Sequence, residues 1–254
     1  MDINMKKYVL TIISVFSVLV VSGQANSASF DCNKAVTWTE KTICKNPELS
    51  KLDDAMVTKY KKKLSSKPEY EDIKVYKNNL MIDQQLWLNF QRNTCRDIQC
   101  LIREYREYVE EKTYDEWNDE LSPFNMPNKN AFGDFSKNFQ ISVYNVDGKR
   151  KNTLQDATNT LSINKVSNKP RLSVIESELI FDNLHSCSLE ESIATWSQNH
   201  WVIYGNNQGE ETKLRLYPAL YKGKNQLLLK DINGFNSGRC GVRGYFDGII
   251  LEHE

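Results

Sequence analysis

The placement of its cysteines restricts this chain more than any other feature. All six, Cys32, Cys44, Cys95, Cys100, Cys187 and Cys240, lie downstream of an uncharged apolar stretch near the N-terminus. An even set of cysteines behind an export-type leader reads as disulfides made in an oxidising compartment. A metal reading is weaker. No cysteine pair shows the short gap of a zinc knuckle, and His185, His200 and His253 are scattered. No cofactor is expected. The four cysteines of the N-terminal half allow three connectivities. We expect the local pairs Cys32–Cys44 and Cys95–Cys100, because each lies at a helix boundary where a short loop closes easily. Cys187–Cys240 would then tie the ends of the C-terminal half.

The leader itself begins with Lys6 and Lys7, followed by the apolar stretch 8–21. That is long enough for a signal-peptide core and short for a membrane span. Met5-Lys6-Lys7 is a cleaner start than Met1-Asp2. Gly23-Gln24-Ala25 offers small residues for cleavage after Ala25, with Ala28 the second choice. A lipoprotein would need a cysteine near Gln24, and none stands there. The expectation is a signal peptide over 1–25 and a periplasmic or secreted product without a stable membrane anchor. An uncleaved anchor helix is the competing reading.

The formal net charge is +0, from 33 basic and 33 acidic residues. No global field draws such a chain onto nucleic acid, so no nucleic-acid partner is expected. Lys61-Lys62-Lys63 is the one compact basic run, and it reads as the solvated end of a helix. The pattern is helical up to about residue 122. Asn46-Pro47-Glu48 reads as an N-cap, a proline at the first helical position and an acid in the first turn. Leu49, Leu52, Met56 and Tyr60 follow at helical spacing. A second helix is expected over 69–93, with Tyr76, Leu80, Trp87 and Phe90 on one broad face. A third carries Ile98, Leu101, Ile102, Tyr105, Tyr108 and Val109. Amphipathic helices of this kind must pack together as a bundle.

Ser122-Pro123 opens an asparagine- and proline-rich linker over 122–136. Beyond it the period becomes two, with Phe139, Ile141 and Val143 alternating with polar neighbours. Asp147-Gly148 and Asn206-Asn207-Gln208-Gly209 are turn signals. Short apolar runs fall at 161–163, 172–175, 179–181, 201–204, 214–217, 227–229 and 249–251. These predict an antiparallel sheet. The fold class expected is therefore α+β: a disulfide-stapled helical bundle over 29–121, the linker, and an antiparallel β-rich domain over 137–254.

The helical half resembles the LprI-type lysozyme-inhibitor family. The resemblance runs through Ser29-Phe30-Asp31-Cys32, Glu40-Lys41-Thr42-Ile43-Cys44, Pro47, Leu49, Leu52-Asp53, Met56 and Tyr60. It resumes at Gln84-Gln85-Leu86-Trp87-Leu88 and ends with Cys95, Cys100-Leu101 and Tyr105. Gln85, Gln91 and Tyr108 stand where that family often carries arginine. The resemblance implies a stapled helical module and an exported protein, and it suggests inhibition of a lysozyme-like hydrolase. Asp53 would cap or pair locally.

No Gly-x-Ser-x-Gly elbow, phosphate loop or His-Glu-x-x-His motif is present in the sequence. Glu190-Glu191 and Glu210-Glu211 are adjacent pairs whose members should point to opposite faces of a strand. His185 beside Cys187 suggests thiol chemistry, but the even cysteine count favours a disulfide. The reading is a non-enzymatic binding protein whose partner is a protein: a lysozyme-like glycosidase or another envelope hydrolase. An inhibitor must place a rigid loop and hydrogen-bond donors in a cleft containing two carboxylates. Ser237 and Arg239, in the glycine-rich segment around Cys240, have suitable chemistry. An envelope interaction or immunity protein and a hydrolase with an unrecognised site are the alternatives.

Overall fold

A computed structural model of the chain describes residues 28–68, 72–114, 126–144, 148 and 151–254. The expected signal peptide with its expected cleavage after Ala25, the expected helix start at Glu69, Ser122-Pro123 and Asp147 lie outside the described residues.

The N-terminal half contains four α-helices: α1 (Trp38–Lys45), α2 (Pro47–Ser65), α3 (Ile73–Leu86) and α4 (Ile98–Glu110). The sequence reading anticipated no separate α1. It is specified by a capping box, in which the Thr37 hydroxyl accepts from the Glu40 N–H and the Glu40 carboxylate accepts from the Thr37 N–H. α2 begins as expected, with the Asn46 side chain accepting the N–H groups of Glu48 and Leu49 and Pro47 at the first position. Ile43, Leu49, Met56, Trp87, Leu101 and Tyr105 pack into one core. Asp53 lies inside that core, and its bonds are long-range rather than local. It accepts from the Ser29 N–H at 2.9 Å and from the Tyr105 hydroxyl at 2.6 Å. The carboxylate thus ties the start of the module to α4.

The expected second helix does not stay regular. α3 passes into a π-helical turn (Trp87–Gln91) and a 3-10 turn (Arg92–Thr94). The wider turn separates two aromatics that the periodicity placed together. Trp87 joins the helical core, with its ring against Tyr105 and Tyr108 at 5.2 and 4.6 Å. Phe90 turns towards the strands and packs with Tyr217 and Leu228.

The C-terminal half is a closed eight-stranded antiparallel barrel in sequential order, rather than an open sheet. Its strands are β1 (Gly133–Tyr144), β2 (Asn152–Lys165), β3 (Leu172–Ile180), β4 (Ser186–Ser197), β5 (His200–Asn207), β6 (Glu210–Tyr221), β7 (Lys224–Ile232) and β8 (Ile250–His253). β1 starts at Gly133, so the last residues assigned to the linker belong to the barrel, and Phe135 is already a core side chain. The short β8 closes the cylinder by pairing with both β7 and β1. Inward side chains alternate along each strand. Phe135, Leu161, Ile175, Trp196, Trp201, Leu214 and Leu229 fill the interior. The runs at 172–175 and 179–181 fall largely on the single strand β3, whose pairing with β4 is interrupted between Ile175 and Ser177. The turn between β5 and β6 places Gln208 at φ 53° and Gly209 at φ 93°, the left-handed pair that a two-residue hairpin requires.

All three disulfides form as the spacing predicted: Cys32–Cys44, Cys95–Cys100 and Cys187–Cys240. They place the chain in an oxidising environment. Among the described residues, no helix is long and apolar enough to cross a membrane.

Candidate functional site

The two halves meet in a buried seam, and its centre is the β4–β5 hairpin. A hairpin tip ordinarily faces water. Here Gln198 and Asn199 at the tip are buried, because the π and 3-10 turns lie over them. Asn199 is the hub. Its amide donates to the Gln91 carbonyl and the Thr94 hydroxyl, each at 3.0 Å. Its carbonyl oxygen accepts from Arg103 at 2.8 Å and lies 2.8 Å from His200 Nδ1. Arg103 also pairs with Glu104 at 2.6 Å, both side chains being fully buried. One turn along α4, Glu107 receives both arms of Arg215 from β6, at 2.6 and 3.0 Å. Burial pushes the Glu104 carboxyl up from its ordinary range, against the opposing pull of Arg103. Such charges are costly to bury and hold position only because each is met by a partner. The seam therefore fixes the orientation of helices on barrel.

Beside this hub lies a cleft of about 460 Å³. Its lining is dominated by side-chain amides: Asn89, Asn93, Asn128, Asn130, Gln198 and Asn225. They come from the π and 3-10 turns, the approach to β1, the buried hairpin and the start of β7. Most are anchored through one end of the amide. Asn93 Oδ1 accepts from Arg92 Nε at 3.0 Å, Asn128 Oδ1 from the Asn130 N–H at 2.8 Å, and Asn225 Oδ1 from Asn130 Nδ2 at 3.1 Å. Among the described residues, none of these three spends its NH₂ group. Asn89 donates to the Gln85 carbonyl at 2.7 Å and keeps its oxygen. Gln198 is 8% exposed, with φ 54°, and its buried Oε1 has no partner among the described residues. A buried acceptor left that way costs about 1–3 kcal/mol. Arg96 is the one charged side chain in the lining, and it donates to the Asn93 and Cys95 carbonyls. The apolar part of the wall includes Trp196, Pro218 and Leu220. Sequence reasoning missed this site, since its asparagines are far apart in the chain and each reads alone as a loop residue.

A second feature is the long loop 233–249 over one end of the barrel. It is a series of turns rather than a plain hairpin. The Asp231 carboxylate accepts the N–H groups of Phe235 and Asn236 at 2.7 and 2.9 Å. Cys187–Cys240 staples the middle, flanked by backbone bonds from Gly241 N–H to Ser186 and from Ser188 N–H to Arg239. Gly244 sits so close that an added Cβ would lie 2.7 Å from Cys187 Sγ. The sequence-selected Ser237 is exposed. Arg239 is half-buried, with its guanidinium donating to the Phe235 carbonyl at 2.9 Å and lying 4.1 Å from that ring. The neighbouring Arg243 is exposed, between Val242 at 95% exposure and Tyr245 at 49%. These three escaped the sequence reading because the loop's direction is set by the staple.

The paired acids behave differently from the alternation rule. Glu190 and Glu191 border the same outer groove, together with Asp134, Glu176 and Glu178. The cause is a bulge: Glu176 faces both of them, with Glu191 at φ 38°. Glu211 pairs with Lys213 at 3.1 Å. Among the described residues, Cys95, Cys100 and Glu104 form a grouping of potential metal ligands, but both sulfurs are joined in a disulfide. No family model, curated protein or solved structure matches the chain.

Proposed function

We propose that this chain is an exported binding protein that engages a protein partner in the cell envelope, in the first instance a lysozyme-like cell-wall hydrolase. The carrying observation is the loop 233–249, held by the Asp231 caps and the Cys187–Cys240 staple. A loop held in place from several sides loses little conformational freedom on association. Its outer surface combines an exposed guanidinium, Arg243, with Val242 and Tyr245, and the Ser237 hydroxyl is also exposed. A glycosidase cleft with two carboxylates is a natural complement to that set. Arg239 braces the loop from behind through Phe235. The resemblance of the helical half to LprI-type inhibitors points in the same direction.

The test is residual lysozyme activity during titration with the oxidised protein, using several lysozyme classes and a reduced, alkylated control. Stoichiometric inhibition is expected. It should weaken by about 1–3 kcal/mol in Arg243→Ala, the range for losing a charged contact at an interface. Absence of inhibition at large molar excess removes the hydrolase target and favours another envelope partner. Cleavage of peptidoglycan by the protein itself overturns the binding reading.

A further inference from the structure

We propose that the amide-lined cleft beside the seam binds a neutral oligosaccharide, at a site separate from the protein-binding loop. Its volume of about 460 Å³ falls within the roughly 300–1,000 Å³ usual for ligand pockets. The chemistry of the lining selects the ligand. A side-chain amide offers both a donor and an acceptor, as does a sugar hydroxyl. Asn93, Asn128 and Asn225 each fix their oxygen on the protein and leave an NH₂ group for a ligand. Asn89 does the reverse and leaves an oxygen. The cleft therefore holds pre-oriented donors and an acceptor around one space, with little left to order on binding. Gln198 adds a buried amide whose oxygen has no partner among the described residues.

The remaining features favour a neutral ligand. Among the described residues Arg96 is the one ionisable side chain in the lining, with Nη1 donating to two backbone carbonyls, and no carboxylate is there to receive a cation. Strand addition by an extended peptide finds no edge in this cleft, because its β6 and β7 residues, Pro218 to Leu220 and Asn225, lie on strands paired with each other. Pro218 and Leu220 supply an apolar surface suited to the C–H face of a sugar ring. A neutral, hydroxyl-rich ring with one apolar face satisfies all three conditions. Acetamido groups on such a ring would pair with the amides equally well.

Isosteric substitutions separate this role from a structural one. Asn93→Asp, Asn128→Asp and Asn225→Asp each keep the oxygen that accepts from the protein and replace the ligand-facing donor with an acceptor. The oxidised full chain should be titrated calorimetrically with N-acetylglucosamine, glucose and mannose tetramers. A galacturonate tetramer and an uncharged tetrapeptide serve as controls. Saturable binding of at least one neutral sugar is expected, with the side-chain NH₂ resonances of Asn93, Asn128 and Asn225 moving on titration. Each substitution should weaken binding by roughly tenfold, about one to two lost hydrogen bonds, with an unchanged melting temperature. Three results would overturn the proposal: no neutral sugar binds, binding survives all three substitutions, or the tetrapeptide binds better than any sugar. Lysozyme inhibition by the same variants should stay at the wild-type level, because the loop 233–249 is untouched.

Discussion

At the scale of single residues, Asn199 has the largest consequence for its size. One amide serves Gln91, Thr94, Arg103 and His200 at once. Asn199→Ala would remove the acceptor from a buried guanidinium and strip partners from several other groups. We expect a loss of about 3 kcal/mol, from the about 1–3 kcal/mol typical of each buried group left without a partner. Urea unfolding followed by tryptophan fluorescence would measure it. Glu104 gives a pH signature. Its carboxyl is raised by burial, with Arg103 and Arg215 pulling it down and Glu107 pushing it up. The folded state therefore binds the proton more tightly than the unfolded state. The resulting stability is full below the ordinary carboxylate range and falls as pH rises through the folded-state pKa. Glu104→Gln, a mimic of the neutral form, should match wild type below the ordinary carboxylate range and gain on it as the pH rises above that range. Paired urea titrations across that range would show no such divergence if the carboxyl were not raised. Neither residue was legible in the sequence. Asn199 sits in Ser197-Gln198-Asn199-His200, which reads as a polar turn, and Glu104 lies one residue from a charge of opposite sign.

At the scale of elements, what could be read and what could not divide along the range of the interaction. α2 and α4 were legible because their apolar spacing and caps are local. α1 carries a local signal, Thr37 and Glu40 three residues apart, but its eight residues are too few for an apolar stripe to stand out. β4 escaped because its inward residues change parity, from Cys187 and Leu189 to Ala194 and Trp196, across the bulge at Glu190-Glu191. The disulfides follow the expected local pairing, although the spacing of the four helical-half cysteines left three connectivities open. They also differ in what they constrain. Cys187–Cys240 spans 53 residues and Cys95–Cys100 spans 5. Chain-entropy arguments make removal of the longer link costlier by about 2 kcal/mol. Double alanine variants of each pair, compared by chemical denaturation, test that order. Gly244→Ala should also loosen the loop, because its added carbon would overlap Cys187 Sγ. An overpacking cost of about 1–3 kcal/mol is expected, read as a lower melting temperature.

At the scale of the whole molecule, helices and barrel share contacts that neither half can satisfy alone. Phe90 from the helical half packs with Tyr217 and Leu228 from the barrel, and Arg215 of β6 meets Glu107 of α4. The sequence suggested two regions joined by a linker because periodicity reports each segment's own core and is blind to a face buried against another region. With a seam of this kind, unfolding should be one transition. Far-ultraviolet dichroism, dominated by backbone, and tryptophan fluorescence, with probes in both halves, should give coincident denaturant midpoints. Two separated midpoints would show that the halves are energetically independent.

The closure of the barrel also sets an order of events for a chain that leaves a channel N-terminus first. β8 holds only Ile250–His253, and its pairing brings His253 against Phe135. Until those residues emerge, both β1 and β7 present unpaired backbone on one side, and the cylinder is a half-built sheet. Such edges recruit other strands. The edges of β1 and β7 thus stay open to strand pairing with other chains until the last residues have folded. Once the final short strand seats, it covers β1 at Phe135 and Ser136 and β7 from Gln226 to Leu228, and the cylinder is shut at that seam.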